Sequence, residues 1–335
     1  MRQGQEQLAL FAELTETATG HVVWAHSFKG TSTDLFAIDS RLVQDLVSAV
    51  LSGVLAREAE RQRGQPLPSL ESHTLLLGAI RVMHHLTVAD MERARDMLDH
   101  LVERNRRLPS VSGWLVHGHV VRALQMWNEG ADPLREAQHA RADAQSALQA
   151  DAECPLTLAM IGHAHLHLWR EPEKARRRYA QVLAVHPDDA LALQLQGELL
   201  ALQGDGVAGV QVAIRALSQH SLEPMRYFHE QLAALAACIA GEQSLALELA
   251  ERSVNAQPHF VPGWWTLAIA QVGAQQLEAA QRTMTRLLEL QPRFSIDGFL
   301  RATPAAAPVA QELARALALA GAPRLTSEPA ASSST

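Results

Sequence analysis

Four short segments, "AVHP", "SQHS", "NAQP" and "ELQP", close on Pro187, Ser221, Pro258 and Pro292, at separations of 34, 37 and 34 residues. A recurrence of this length marks a repeat array, in which each unit buries its apolar face only against its neighbours. Between the closing positions, apolar residues recur at helical spacing in two runs per period, so each period is predicted to be a pair of helices. Such pairs extend over residues 70–322, about six in number, and a last helix around 307–320 would cap the stack.

The composition agrees. Alanine and leucine dominate, and aromatic residues are only 4% of the chain, a mixture that favours helix. The helices also carry a signature. The tetratricopeptide consensus places a large residue, a second large residue and a small one at fixed offsets in the first helix of each pair, and a proline at the end. "WLVHGHVV" puts Trp114, His117 and Gly118 on those positions, and "LAMIGHAH" puts Leu158, Ile161 and Gly162 there. "LQLQGELL" supplies Leu193, Gln196 and Gly197, while "WWTLAIAQ" supplies Trp264, Leu267 and Ala268, followed by Ala280 and Pro292. The repeats therefore resemble tetratricopeptide repeats, strongly over 155–292 and more loosely over 70–152.

The first sixty residues are different. "LALFAEL" and "HVVWAHSF" alternate like strands, and Gly20 between them can take a positive φ. "TSTDLFAIDSRLVQDLVSAVL" then reads as a helix with capping candidates and an apolar stripe. A lone hairpin is marginal in water and has two open edges, so this start reads as the tail of a larger α/β domain or as a sheet completed by a partner chain, a homodimer through the hairpin being one form of the latter. "RQRGQPLPS" (61–69) is a linker by its Gly and Pro content, and the polar end of the chain (323–335) is expected to be disordered. The predicted fold is mainly α: a tetratricopeptide-repeat solenoid preceded by a hairpin and helix from a partial α/β module over 1–60.

Residues 13–51 resemble the end of the TolB-like α/β module of bacterial signalling proteins, with Thr19, Gly20, Trp24, Ala25, Asp34, Phe36 and Asp39 at the matching places and Ile38 departing from the pattern. In that family the module is followed by tetratricopeptide repeats, and together they form the regulatory part of winged-helix transcription factors or class III adenylate cyclases. The resemblance implies a non-catalytic regulatory or interaction role, with the output domain encoded upstream, supplied by another chain, or lost.

In the repeat register, His119, His163, His167 and Glu198 fall on first-helix positions that line the concave groove, where a protein or peptide partner would lie. Trp169 and Trp265 are added as aromatic anchors. His163 and His167 are one turn apart and share a face, whereas His165 points away. Such a pair can share zinc, with His119 possible as a third ligand. No cysteine or carboxylate stands at a ligand spacing nearby, so neither metal nor cofactor is expected.

Other patterns fail in context. "GDGVAG" (204–209) lacks the preceding strand that a dinucleotide site needs. "HEQLA" has Ala233 where a zincin needs its second histidine. Cys154 and Cys238 are expected to be structural thiols. A net charge of −7 argues against bulk binding to nucleic acid or anionic membrane. The arginine runs around Arg177 and Arg106 read as solvated helix faces. With no apolar leader and no membrane-length run, the expected location is the cytoplasm.

Overall fold

The computed structural model describes residues 7–17, 20–31, six positions between 42 and 54, 72–104, 109–125, 133–219 and 225–324. The linker at 61–69, Ser221, the tail beyond 324 and most of the helix expected after the hairpin lie outside these residues.

Strands β1 (Gln7–Thr15) and β2 (Val22–Thr31) pair antiparallel, Leu10 opposite Phe28 and Leu14 opposite Trp24. Gly20 takes φ +70° in the turn, a conformation that costs a residue with a Cβ about 1–2 kcal/mol. Trp24, His26 and Phe28 stack along one face at ring separations of 6.1 and 4.9 Å. Leu42 and Gly53, both in helical conformation, pack on that face, Leu42 against Gly30 and Gly53 against Trp24. The expected hairpin is thus formed. Among the described residues its sheet has two strands.

Fourteen helices follow among the described residues. They form six pairs: α1 (Ser72–Met83) with α2 (Val88–Arg104), α3 (Pro109–Gln125) with α4 (Pro133–Ala150), α5 (Pro155–His167) with α6 (Pro172–Val185), α7 (Ala190–Leu202) with α8 (Gly206–Gln219), α9 (Arg226–Ala240) with α10 (Gln243–Ala256), and α11 (Val261–Gly273) with α12 (Leu277–Leu290). Short α13 (Ile296–Ala302) and α14 (Ala307–Leu319) finish the stack, α14 lying on α11.

The reasons lie in local chemistry. Prolines begin α5, α6 and α11 within the first turn, where a missing N–H costs nothing. Asp189 caps α7, its carboxylate accepting from Ala192 N at 2.8 Å. Every described turn inside a pair contains one left-handed residue: Leu86, Arg170, Gly204, Gly241 or Gln275. Gly162 lets α6 approach α5 so closely that Tyr179 Cδ1 lies 2.9 Å from where a Cβ would stand.

The array also folds back on itself. His84, after α1, has its Nδ1 2.7 Å from Tyr227 Oη of α9, and its carbonyl accepts from Gln257 Nε2 at 2.7 Å. Gln125, ending α3, donates to His259 O at 2.6 Å and accepts from Val261 N at 2.8 Å, while its own carbonyl accepts from Gln291. Arg170 reaches the carbonyls of Arg301 and Ala302, and Ala306 N donates to Leu202 O. First and second pairs therefore touch the fifth and sixth, and the interior between them is filled with side chains.

Candidate functional site

The histidines at 163 and 167 stand one turn apart on α5, rings 4.6 Å apart and edge to face. Glu198 of α7 comes between them from the next pair. Its Oε1 lies 2.8 Å from His167 Nε2, and its Oε2 lies 3.6 Å from His163 Nε2. One nitrogen from each imidazole and one carboxylate oxygen fall within 4.8 Å of one another. The carboxylate that no spacing along the helix offered thus comes from the following repeat, from the same register position as His163.

The site is enclosed. His163 is wholly buried and Glu198 is 3% exposed. Both ring nitrogens of His163 and Oε2 of Glu198 have no hydrogen-bond partner, which for buried polar atoms is costly and unusual. Burial, reinforced by the neighbouring His167 and His117, holds His163 well below the usual imidazole range, so the ring is neutral and its contact with Glu198 is not an ion pair. His117 stacks on His163 at 6.1 Å, and the ring of Phe228 meets both edge-on. A small cavity adjoins His167 and Glu198, bounded also by Gln231, Leu235, Phe299 and Trp265.

The structure separates the other residues nominated from the register. His119 does not join the pair. It is buried between Glu136 (Nδ1 to Oε2, 2.6 Å) and Asp143 (Nε2 to Oδ2, 3.0 Å), and Glu136 also meets Arg122 at 3.2 Å. Burial alone would lower its pKa, but hydrogen bonds and charge from Asp143 and Glu136 outweigh that and raise it. Reciprocally, burial would raise Glu136, but His119 and Arg122 bring it below the usual carboxylate range. Trp169 donates to Ala137 O at 2.9 Å and carries Arg141 over its ring at 4.6 Å, so it ties α4 to the turn between α5 and α6. Trp265 is buried against Phe299 at 5.4 Å, and its indole N–H has no partner.

None of the four nominated groove side chains faces open solvent: His119, His163 and Glu198 are buried, and His167 nearly so. His163, His167 and Glu198 face the chain's own later pairs, with Phe228 against His163 and Leu232 and Leu235 beside His167 and Glu198, whereas His119 lies between α3 and α4. Sequence reasoning also missed Gln125, Gln257 and Gln291, which as glutamines in helical repeats read as surface; only their separation across four pairs gives them a role.

Other expectations fall into place. Arg176 pairs with Glu173, and Lys174 with Glu171, on the outer face of α6. "GDGVAG" forms the turn from α7 into α8, with a helix rather than a strand before it. Burial pushes the Cys238 thiol up to about 12, as suits an inert structural cysteine. No described helix is long and apolar enough to cross a membrane.

No protein-family model matches the sequence, and no curated protein matches it either. Solved structures do. The Cut9 component of the "APC/C hetero-tetramer Cut9-Hcn1" structure overlays with a TM-score of 0.52 at 15% identity, covering 82% of this chain and 49% of that one. The fold is a tetratricopeptide-type α-solenoid. Shorter solenoids match more loosely: the type IV pilus biogenesis factor PilW at TM-score 0.42 and 21% identity (61% and 90% covered), and a tetratricopeptide repeat protein from Parabacteroides merdae at 0.38 and 14% (74% and 98% covered). In this solenoid, unlike an array held only by neighbouring repeats, the first two pairs are bonded to the last two.

Proposed function

We propose that the chain is a non-catalytic protein-interaction module that regulates a bacterial signalling protein by binding a partner segment on the inner faces of its repeats. The observation that carries this reading is the solenoid itself: stacked first helices present a long composite surface to one ligand. The resemblance of residues 13–51 to TolB-like modules supports a transcription-regulator setting, with a class III adenylate cyclase or a free-standing adaptor as alternatives. The proposed contact set is His119, His163, His167, Glu198, Trp169 and Trp265. Because His163, His167, Glu198 and Trp265 are enclosed among residues of the fifth and sixth pairs and α13, a partner reaches these four only when the later pairs separate from the earlier ones. Binding then competes with self-closure.

Peptides selected by phage display against the full chain test this, followed by fluorescence anisotropy on wild type and on Gln125→Met, which weakens closure. The expected result is saturable binding that tightens at least about tenfold in the variant, since the binding-competent state becomes more populated. Unchanged affinity, or no saturable peptide for either protein, would overturn the reading. The two-stranded sheet that β1 and β2 form among the described residues supports homodimerisation through the hairpin as a further part of the proposal; a monomeric mass by light scattering at high concentration would remove that part alone.

A further inference from the structure

We propose that His163, His167 and Glu198 bind a zinc(II) ion inside the solenoid, bridging the third and fourth helix pairs. Three observations meet there. The donor set is chemically apt: two neutral-type imidazoles and one carboxylate form a borderline-soft, singly anionic set that suits zinc better than calcium or magnesium, which prefer all-oxygen shells. The geometry is close to assembled, since one donor atom from each residue lies within 4.8 Å of the other two. A tetrahedral zinc with bonds near 2.0–2.2 Å spaces its donors about 3.3 Å apart, so the widest gap has at most about 1.5 Å to close. Rotation of the imidazole and carboxylate planes supplies that.

The second observation is independent of the cluster. His163 is wholly buried on α5 and neither of its nitrogens has a partner, while Glu198 Oε2, 3% exposed as a residue, has none either. These orphans face one another across 3.6 Å. A fold retains unsatisfied buried polar atoms at a cost of about 1–3 kcal/mol each, and a metal between Nε2 and Oε2 satisfies both at once. The third concerns access. His167 and Glu198 also line the cavity bounded by Gln231 and Trp265, so three protein ligands leave a fourth position for water or a small donor from that side, the arrangement of an open zinc site.

The site explains a sequence feature that otherwise has no role. His163 and Glu198 hold the same register position in consecutive repeats, so any ion between them ties one repeat to the next. The inference does not depend on the partner reading, because it concerns the chain alone.

The test uses the full chain stripped with EDTA, dialysed, and titrated with zinc sulfate by calorimetry, with cobalt(II) as a spectroscopic substitute. The expected result is one equivalent bound below micromolar Kd, an intense visible cobalt spectrum of a four-coordinate ion, and a raised Tm with excess zinc. Glu198→Gln and His167→Gln preserve side-chain bulk, and each is expected to lose at least about 100-fold in affinity, while circular dichroism shows an unchanged helical signal. His85→Gln, at an exposed histidine, is expected to bind as wild type does. Surface histidines can also take up zinc. Binding that persists undiminished in Glu198→Gln and His167→Gln, only the weak spectrum of six-coordinate cobalt, or uptake well under one equivalent by wild type would each overturn the proposal.

Discussion

Gln125 is the sharpest place to probe the folding-back of the array. The residue is 8% exposed and its side chain makes two hydrogen bonds to residues 134 and 136 positions away, at His259 and Val261. Val261 opens α11, and its N–H is one of the four at a helix start with no partner inside the helix. Phe260, the cap residue, offers no side-chain acceptor, so Gln125 Oε1 caps α11 from the far side of the interior. Gln125→Met keeps the volume and removes both polar atoms. The stranded Val261 N–H, 4% exposed as a residue, should cost about 1–3 kcal/mol, and the His259 carbonyl, on a residue open to water, about 0.5–1 more. A loss of about 2–4 kcal/mol is therefore expected, a large part of the 5–15 kcal/mol typical of native stability. Urea denaturation gives the size, and hydrogen exchange gives the place: amides of α9 to α12 should exchange faster, though they are remote in sequence. A loss under about 0.5 kcal/mol, or faster exchange confined to α3, would refute the argument.

Other outcomes follow from the same contacts. Burial lowers His229 to about 4 and His117 to about 3, so in the folded state both stay neutral while the unfolded chain takes up protons near pH 6.5. Their contribution is present above that pH and is lost as pH falls, at about 2 kcal/mol each by pH 5. His119 runs oppositely, its contribution being complete at low pH and lost as pH rises through its raised value. Denaturant midpoints in EDTA at pH 7 and 5 should show His229→Leu losing about 2 kcal/mol less than wild type; equal losses would contradict the assignment. Gly162→Ala should destabilise by about 1–3 kcal/mol despite the helix preference of alanine, because the added Cβ meets the fully buried ring of Tyr179; an unchanged Tm would mean that α6 yields freely. Gln275→Gly should stabilise by about 0.5–1 kcal/mol, since Gln275 is exposed at φ +60°, and thermal unfolding reads this directly.

The repeat architecture was legible because it is written in a period: the closing prolines, the small residues at Gly118, Gly162, Gly197 and Ala268, and the alternation around Gly20 each report a local geometry. The turns inside the pairs were only half visible. Gly204 and Gly241 announce a left-handed residue, whereas Leu86, Arg170 and Gln275 take the same conformation where neighbouring helices impose it. The Glu198 ligand was within reach, since overlaying consecutive repeats puts it on His163, but a search for spacing along one helix cannot find it. The folding-back had no local signal. It depends on how far the superhelix turns over four pairs, a sum of small rotations set by packing, and it converts an exposed concave face into an interior. His119 misled for a local reason, its carboxylate partners being chosen by the α3–α4 contact and not by register with His163.

The bonds that span the interior have a consequence for descent. An open array tolerates gain or loss of a unit by unequal recombination, because each junction resembles the next. Here Gln125 must arrive opposite Val261, and His84 opposite Tyr227 and Gln257. Deleting or duplicating a single helix pair between them would shift every one of these meetings by a whole repeat. Side chains can drift under such a constraint, but the number of repeats cannot, so relatives that keep the cross-bonds should keep the count.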